Sequence, residues 1–430
     1  CSVDLRDGNQ ALVDPMNLEE KLEYFHTLVD IGVKEIEIGF PSASETEYEI
    51  CRELIDGGHI PDDVTIQVLI RKTFEAIQGA KNVILHFYNS TSTLQRKVVF
   101  HMDTDEITKI ATDAADLIYE MSQPLIQSGM NLRFEYSPES FMGTEMDAAV
   151  EICQAVIEAL HATPEHKVIL NLPTTVENCM PNYFADEIEY FISKLPSRES
   201  AIISLHPHND RGEGVATAEL GQLAGAERVE ATLFGNGERT GNVDMVTLAL
   251  NLYTQGVDPG LDFSNINKIR DVYEKVTKMK IGERQPYVGE LVFTAFSGSH
   301  QDAINKGVRY MEESGSDYWE VPYLPIDPAD VGRQYEPIIR INSQSGKGGA
   351  AFVMQHSFGF DLPKAMHPEF GHIVQVETDR VGKELKPEAI YDLFKTHYID
   401  AVKPYELVRH SFAEFTDEEG HSHVTFAGTL

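Results

Sequence analysis

The chain has 430 residues, 42% of them hydrophobic and 24% charged, with 35 basic against 69 acidic residues. This length suits one large domain and a smaller one, and the net charge of -34 argues against partners such as nucleic acid or an anionic membrane surface. Four cysteines without CxxC spacing suggest neither a disulfide framework nor a cysteine zinc site. No apolar run approaches the roughly 20 residues that cross a bilayer, so we expect a cytoplasmic protein.

Strand-like and amphipathic helical segments alternate along most of the chain. Eight segments have the composition of strands: Ser2–Leu5, Glu35–Gly39, Thr65–Ile70, Asn82–Phe87, Asn131–Tyr136, Lys167–Leu170, Ala201–Leu205 and Arg228–Leu233. Apolar residues at three- and four-residue spacing mark helices between them, over Leu18–Ile31, Ile107–Ile126, Ala148–Leu160 and Tyr183–Leu195. Eight such units predict an α/β fold, a (β/α)8 TIM barrel, because a doubly wound open sheet usually has fewer strands.

Polar side chains follow the ends of these strands, where a TIM barrel carries its active site. They are Arg6, Asp7, His86, Ser137, Glu139, Thr175, His206, His208 and the segment 236–242. His206 and His208 are two residues apart on an extended segment, so their side chains leave the same face. With Asp7 and the amide of Asn242 they predict a site for Mg²⁺, Mn²⁺ or Zn²⁺. A hydrogen-bonded histidine pair is the alternative, and Asp7 on the first strand makes it less favoured.

Several motifs resemble those of the 2-isopropylmalate synthases, in the longer actinobacterial-type branch of the Claisen-type TIM-barrel synthases and lyases. The motifs are LRDGNQ (5–10), FPSAS (40–44), EYSPE (135–139), LHPHNDRG (205–212) and GNGERTGN (235–242). Two later motifs, FSGSHQD (296–302) and VPYLP (321–325), favour this family over its relatives. The resemblance covers nearly the whole chain.

The resemblance implies an acyltransferase that condenses acetyl-CoA with 3-methyl-2-oxobutanoate and water, giving 2-isopropylmalate and CoA in the first committed step of leucine biosynthesis. A divalent ion would act as a Lewis acid on the oxo acid, and K⁺ is an expected monovalent activator. The implied metal ligands are Asp7, His206, His208 and Asn242. Arg6 would steady the developing alkoxide, and the implied contacts of the oxo acid are His86, Ser137 and Thr175.

The implied set for removing a proton from the acetyl group is Glu139 with His300 and Tyr323. Without the resemblance, Glu139 could simply cap the following turn, His300 would be a surface or capping histidine, and Tyr323 would be a packing residue. Because His300 and Tyr323 follow the barrel, the family pattern implies that they reach the active site of the neighbouring subunit in a homodimer.

Two glycine-rich segments do not match nucleotide-binding motifs. In segment 235–241 the third glycine is one residue too far along for GxGxxG, although its backbone N–H groups could contact the thioester ligand. Segment 343–349 lacks the first glycine and the final Ser or Thr of a P-loop.

We predict a barrel domain over residues 1–283, a linker subdomain over 284–345, a helical subdomain over 346–405 with helices at Pro363–Val376 and Lys386–Thr396, and the start of a truncated regulatory region over 406–430. The family's C-terminal domain binds leucine, so we expect catalysis that is insensitive to leucine. The strand ending at Ile70 runs into residues 71–74 without a turn, which predicts that residues are missing there, as at the N-terminus.

Other functions remain open at this stage. A sibling citramalate or homocitrate synthase would use the same chemistry on another 2-oxo acid. A metal-dependent hydrolase is disfavoured because its HxH pair usually lies on the first strand, and a non-enzymatic regulatory protein is disfavoured because every candidate metal and acid/base residue is intact.

Overall fold

The computed structural model describes residues 1–70, 74–295, 297–335, 346–381, 385–401, 406–416 and 422–429. The chain divides into two compact units, the first formed by Cys1–Val292 with Ala329–Arg333 and the second by Phe293–Pro328 with Gln334–Leu430. In the part of the chain described, no helix is both long and apolar enough to span a bilayer.

The first unit is built on a parallel sheet of seven strands that pair in chain order. Their bounds are β1 Glu35–Gly39, β2 Thr65–Leu69, β3 Asn82–Ser90, β4 Asn131–Glu139, β5 Val168–Thr174, β6 Ala201–Pro207 and β7 Arg228–Val229. The N-terminal segment closes the sheet, because Ser2 forms parallel bridges to both Ile36 and Ala231. The predicted (β/α)8 barrel is therefore confirmed, and the first residues of the chain occupy the eighth strand position.

Two predicted strands are mostly irregular, and one buried carboxyl group links them. The prediction of a strand over Ser2–Leu5 is wrong beyond the Ser2 bridges, because Asp4–Gly8 forms a π-helical turn. The strand predicted over Arg228–Leu233 is regular only in β7, and a 3-10 turn begins at Leu233. Both oxygens of Asp4 accept the Leu233 N–H at 3.1 Å, which holds the two turns together.

Nine helices of the first unit are described around this sheet: α1 Leu18–Ile31, α2 Glu45–Asp56, α3 Thr93–Gln95, α4 Thr104–Gln127, α5 Met146–Ala159, α6 Pro181–Lys194, α7 Gly214–Leu223, α8 Met245–Thr254 and α9 Ile266–Thr277. The four predicted amphipathic segments all lie on helices. Helix α1 begins as predicted because Asn17 and Glu20 form a capping box, each side chain accepting the other residue's backbone N–H. Every residue of β2 and of β5 is buried, so the core lies between sheet and helices.

The second unit contains helices and one antiparallel strand pair: α10 Gly298–Ser314, α11 Gly346–Phe358, α12 His367–Val381, α13 Pro387–Phe394, β8 Arg409–Thr416 and β9 Ser422–Thr429. Val353, Met354, Phe370, Val374 and Ile390 are the most deeply buried members of its helical core. The helices predicted near residues 363–376 and 386–396 are present as α12 and α13, with shifted bounds. Residues 71–73, Phe296 and 343–345 lie outside the described residues, so the predictions that fall on them stay predictions.

Candidate active site

A cavity of about 530 Å³ opens at the C-terminal ends of the strands. Eight of the residues that the sequence singled out line it: Arg6, Asp7, His86, Ser137, Glu139, Thr175, His206 and His208. They come from five separate strand positions of the barrel, counting the N-terminal segment, so only closure of the sheet brings them together. The cavity wall also includes Leu69, Tyr88 and Asn171, which the sequence did not single out.

Asp7, His206 and His208 form a group of three buried side chains whose ligand atoms all lie within 4.8 Å of one another. Asn242 donates from Nδ2 to Asp7 Oδ2 at 2.8 Å. Its Oδ1 and His208 Nδ1 are buried and, among the described residues, find no hydrogen-bond partner. Buried polar atoms without partners are rare and costly, and here they adjoin a carboxylate and a second imidazole. This donor set fits a divalent cation.

The charges of the group are strongly coupled. Burial alone would raise the pKa of Asp7, but the Arg6 guanidinium and His206 hold it well below its usual range. Burial also opposes a charge on His206, yet hydrogen bonds to Asp7 and Glu230 raise the pKa of His206 to about 9. Burial and the neighbouring His206 lower the pKa of His208 to about 4. A permanently ionised carboxylate beside a neutral imidazole is ready to bind a cation.

The backbone brings Asn242 to the histidines. His208 forms an antiparallel bridge with Asn242, and the Asn209 N–H donates to the Gly241 carbonyl at 3.0 Å. Gly241 has φ of +94°, and a Cβ there would lie 1.8 Å from the Gly235 carbonyl oxygen. The glycines of segment 235–241 therefore permit a tight turn that seats Asn242.

A buried polar network lies beneath the cavity, inside the barrel, and sequence reasoning missed it. Its members are Glu37, Gln67, Glu135, Arg228 and Glu230. Gln67 Nε2 donates to Glu230 Oε1 at 2.8 Å, and Arg228 Nη1 donates to the same oxygen at 3.1 Å. The available signal was the presence of glutamates within otherwise apolar strands, as in EIEIG (35–39), because an unpaired charge is rarely buried.

Two glutamates of this network hold residues of the cavity wall. Glu37 accepts from Arg6 Nε at 2.6 Å and lies 2.9 Å from His86 Nδ1, and Glu230 lies 2.7 Å from His206 Nδ1. Burial raises the pKa of each acid, but Arg6 keeps that of Glu37 low and Arg228 keeps that of Glu230 low. The pKa of Glu135 is instead raised well above its usual value by burial. The site is thus held by carboxylates that remain ionised.

The remaining wall residues are also fixed by hydrogen bonds. His86 Nε2 lies 2.8 Å from Ser137 Oγ, which accepts from Asn171 Nδ2 at 3.1 Å. Thr175 Oγ1 accepts the Ser140 N–H at 2.7 Å, so its hydroxyl hydrogen is available to a ligand. The Glu139 carboxylate accepts from the Ser90 hydroxyl.

His300 and Tyr323 belong to the second unit, where they contact each other. His300 lies on α10, and its ring stacks on Tyr323 with 4.1 Å between ring centroids. Tyr323 is 62% exposed and has φ of +67°, unusual for a residue with a side chain. The structure pairs the two predicted residues, while their role remains a proposal.

Comparisons with known proteins identify the family of the chain. The HMGL-like family model matches residues 1–273, and a model described as alpha-isopropylmalate synthase, post-catalytic domain-like, matches residues 290–355. A relative from Clostridium acetobutylicum, named 2-isopropylmalate synthase, is 57% identical over 97% of this chain and 77% of its own length. The chain belongs to the 2-isopropylmalate synthase family. A second relative of that name, from Brucella suis biovar 1, is 60% identical over 93% of this chain and 73% of its own length.

A solved structure supports the fold of this family member. The hydroxymethylglutaryl-CoA lyase of Pseudomonas aeruginosa matches 66% of this chain and 95% of its own, with a TM-score of 0.53 and 18% identity. At this identity the likeness concerns the TIM-barrel fold alone. The 2-isopropylmalate synthase relatives carry the functional comparison.

Proposed function

We propose that this protein is a 2-isopropylmalate synthase, which joins acetyl-CoA and 3-methyl-2-oxobutanoate, with water, to form 2-isopropylmalate and CoA. The observation that carries the proposal is the Asp7, His206 and His208 group at the floor of a cavity in a chain about 57–60% identical to enzymes of that name. The preferred ions are Mg²⁺ and Mn²⁺, with Zn²⁺ as an alternative, held by Asp7, His206, His208 and the orphaned oxygen of Asn242. Such an ion, when bound, polarises the ketone of the oxo acid.

Arg6, His86, Ser137 and Thr175 are the proposed contacts of the oxo acid. Nε and Nη1 of Arg6 are fixed by Glu37 and Asp7, so the guanidinium is held rigidly at the cavity wall, where it would stabilise the oxygen that becomes an alkoxide. His86 with Ser137, together with the Thr175 hydroxyl, would bind the carboxylate of the oxo acid. Holding the ketone in one orientation lowers the activation barrier, because the loss of translational and rotational entropy then occurs on binding.

Glu139 is the proposed base that removes a proton from the methyl group of acetyl-CoA. It borders the cavity on the opposite side of the barrel from Arg6 in strand order, and its hydrogen bond with Ser90 fixes its carboxylate. As a general base, this carboxylate would have to lie within hydrogen-bond reach of the acetyl methyl group. Hydrolysis of the resulting thioester would then release CoA.

His300 and Tyr323 are proposed to complete the site in the neighbouring subunit of a homodimer. Their stacking supports action as a unit, because substitution of either ring alters the placement of the other. The exposed Tyr323 ring leaves its hydroxyl accessible to a ligand. Proton transfer to or from the thioester is the role that this pair could supply.

CoA release tests the proposal directly. Purified protein would be incubated with acetyl-CoA, Mg²⁺ or Mn²⁺, and one of three acids: 3-methyl-2-oxobutanoate, pyruvate or 2-oxoglutarate. We expect a thiol reagent to detect rapid release only with the branched acid, lost after chelation and in Asp7→Asn. Preference for pyruvate or 2-oxoglutarate would instead identify a sibling synthase, and release without any oxo acid would indicate simple hydrolysis.

A further inference from the structure

A buried lysine lies directly behind the turn that carries Arg6 and Asp7. Lys21, in α1, is completely buried. Its ammonium donates to the Leu5 carbonyl at 3.1 Å and forms an ion pair with Glu47 of α2. The other carboxylate oxygen of Glu47 accepts the Phe40 N–H at 2.9 Å, just after β1 ends. One ion pair thus bonds to two backbone segments that border the cavity, the turn at Leu5 and the chain just after β1.

Folding stability gives little reason for this pair. Lys21 lies near the N-terminus of α1, where the helix dipole disfavours a cation, and burial lowers the pKa of Lys21 although Glu47 opposes the change. A buried ion pair often contributes no more to folding than an apolar pair of the same volume. The bonds from Lys21 and Glu47 to two separate backbone segments favour a positioning role over a stabilising one.

The absence of a side chain at Gly39 leaves room for the pair. A Cβ on Gly39, at the end of β1, would lie 1.9 Å from Glu47 Oε2 and 3.7 Å from Lys21 Nζ. Any side chain at Gly39 would displace the carboxylate. The strand end, α1 and α2 are therefore fitted around the same two charged groups.

We propose that the Lys21–Glu47 pair is a positioning device that fixes the turn bearing Arg6 and Asp7 against the end of β1, and thereby sets the affinity of the site for its divalent ion. This inference rests on the proposed metal site. Asp7 supplies the anionic ligand from a single π-helical turn, and the Leu5 carbonyl bound by Lys21 belongs to that turn. Loss of the pair would let the turn shift without removing any ligand.

The test measures Mn²⁺ binding by calorimetry on full-length variants, with Asp7→Asn as the background for ions held by the acidic surface. Lys21→Met keeps most of the length of the side chain, Glu47→Gln keeps its shape, and the double variant removes both charges together. Lys34→Met is the matched control, because its ion pair with Asp63 is exposed, at 59% and 67% of the two side chains. Melting temperature without metal reports folding separately.

We expect the Mn²⁺ Kd to rise about tenfold in Lys21→Met and in the double variant, and about threefold in Glu47→Gln, with no change in Lys34→Met. If Lys21→Met does not fold, the double variant gives the answer, since it leaves neither charge of the pair buried and unpaired. Folded variants that bind Mn²⁺ as tightly as the wild type would overturn the positioning role of the pair and leave the proposed metal site intact. Wild-type binding no tighter than that of Asp7→Asn would overturn the proposed metal site and this inference with it.

Discussion

Glu230 lies 2.7 Å from Nδ1 of His206, on the side of the ring away from Asp7. The carboxylate keeps a hydrogen on Nδ1, so Nε2, 3.3 Å from Asp7 Oδ2, faces the proposed ion. Glu230 is itself held by Gln67, Arg228 and Asn171. The orientation of this imidazole is thus decided by groups deep within the barrel.

Replacing Glu230 should weaken metal binding without removing a ligand. In Glu230→Gln we expect the Mn²⁺ Kd to rise about 10- to 100-fold, because the amide no longer holds the imidazole as a carboxylate does. Titration calorimetry would measure the change, with the exposed Glu199→Gln as control. An unchanged Kd in a folded Glu230→Gln protein would mean that Asp7 alone orients His206.

Glu37 should affect the oxo acid more than the ion, because it holds Arg6 and His86. In Glu37→Gln, kcat/KM for 3-methyl-2-oxobutanoate should fall about 30-fold, the equivalent of about 2 kcal/mol of lost charge-assisted hydrogen bonding. The Mn²⁺ Kd should change less than twofold. Equal losses in both quantities would show that the whole network moves as one body.

Asp4 should make stability fall as the pH rises. Burial raises its pKa from 3.8 to about 7, against hydrogen bonds from Leu233, Ser2 and Tyr24. Between these values the folded state holds a proton that the unfolded state has lost, so its contribution is fully present below about pH 4 and lost as the pH passes about 7. The expected slope is about 1.4 kcal/mol per pH unit.

Urea unfolding of metal-free protein at pH 5.0 and 7.5 would test this effect. The stability advantage of the wild type over Asp4→Asn should shrink by about 2–3 kcal/mol between the two values. The exposed Asp116→Asn should show no such trend. A pH-independent difference would indicate that the three hydrogen bonds keep Asp4 ionised.

Mixing two inactive variants would test whether His300 and Tyr323 act across a dimer. Asp7→Asn damages the barrel site, whereas Tyr323→Phe damages only the pair in the second unit. Coexpression should restore about a quarter of the wild-type activity, because about half of random dimers are mixed and each has one intact site. No recovery from a confirmed mixed dimer would place Tyr323 in its own subunit's site.

The sequence alone determined the barrel and most of the candidate wall. Strand composition and helical spacing are local properties, so segments such as Leu18–Ile31 were predicted with their observed bounds. The predicted gathering of Asp7, His206 and His208 followed from a rule of the fold, that active sites lie at strand ends. The motifs supplied the family, and the roles of these residues remain proposals.

Only the tertiary structure decided which groups hold that wall in place. In sequence, Glu37 and Glu230 are only charged positions within otherwise apolar segments, and the closed sheet alone brings them beneath Arg6 and His206. The strand predicted over Ser2–Leu5 gives way to the turn at Asp4–Gly8, and the bond from Leu233 to Asp4 that anchors this turn spans 229 positions. Lys21 and Glu47 likewise meet only after α1 and α2 have packed. Hydrogen bonds between distant segments leave no local pattern, because each partner keeps the composition of its own element.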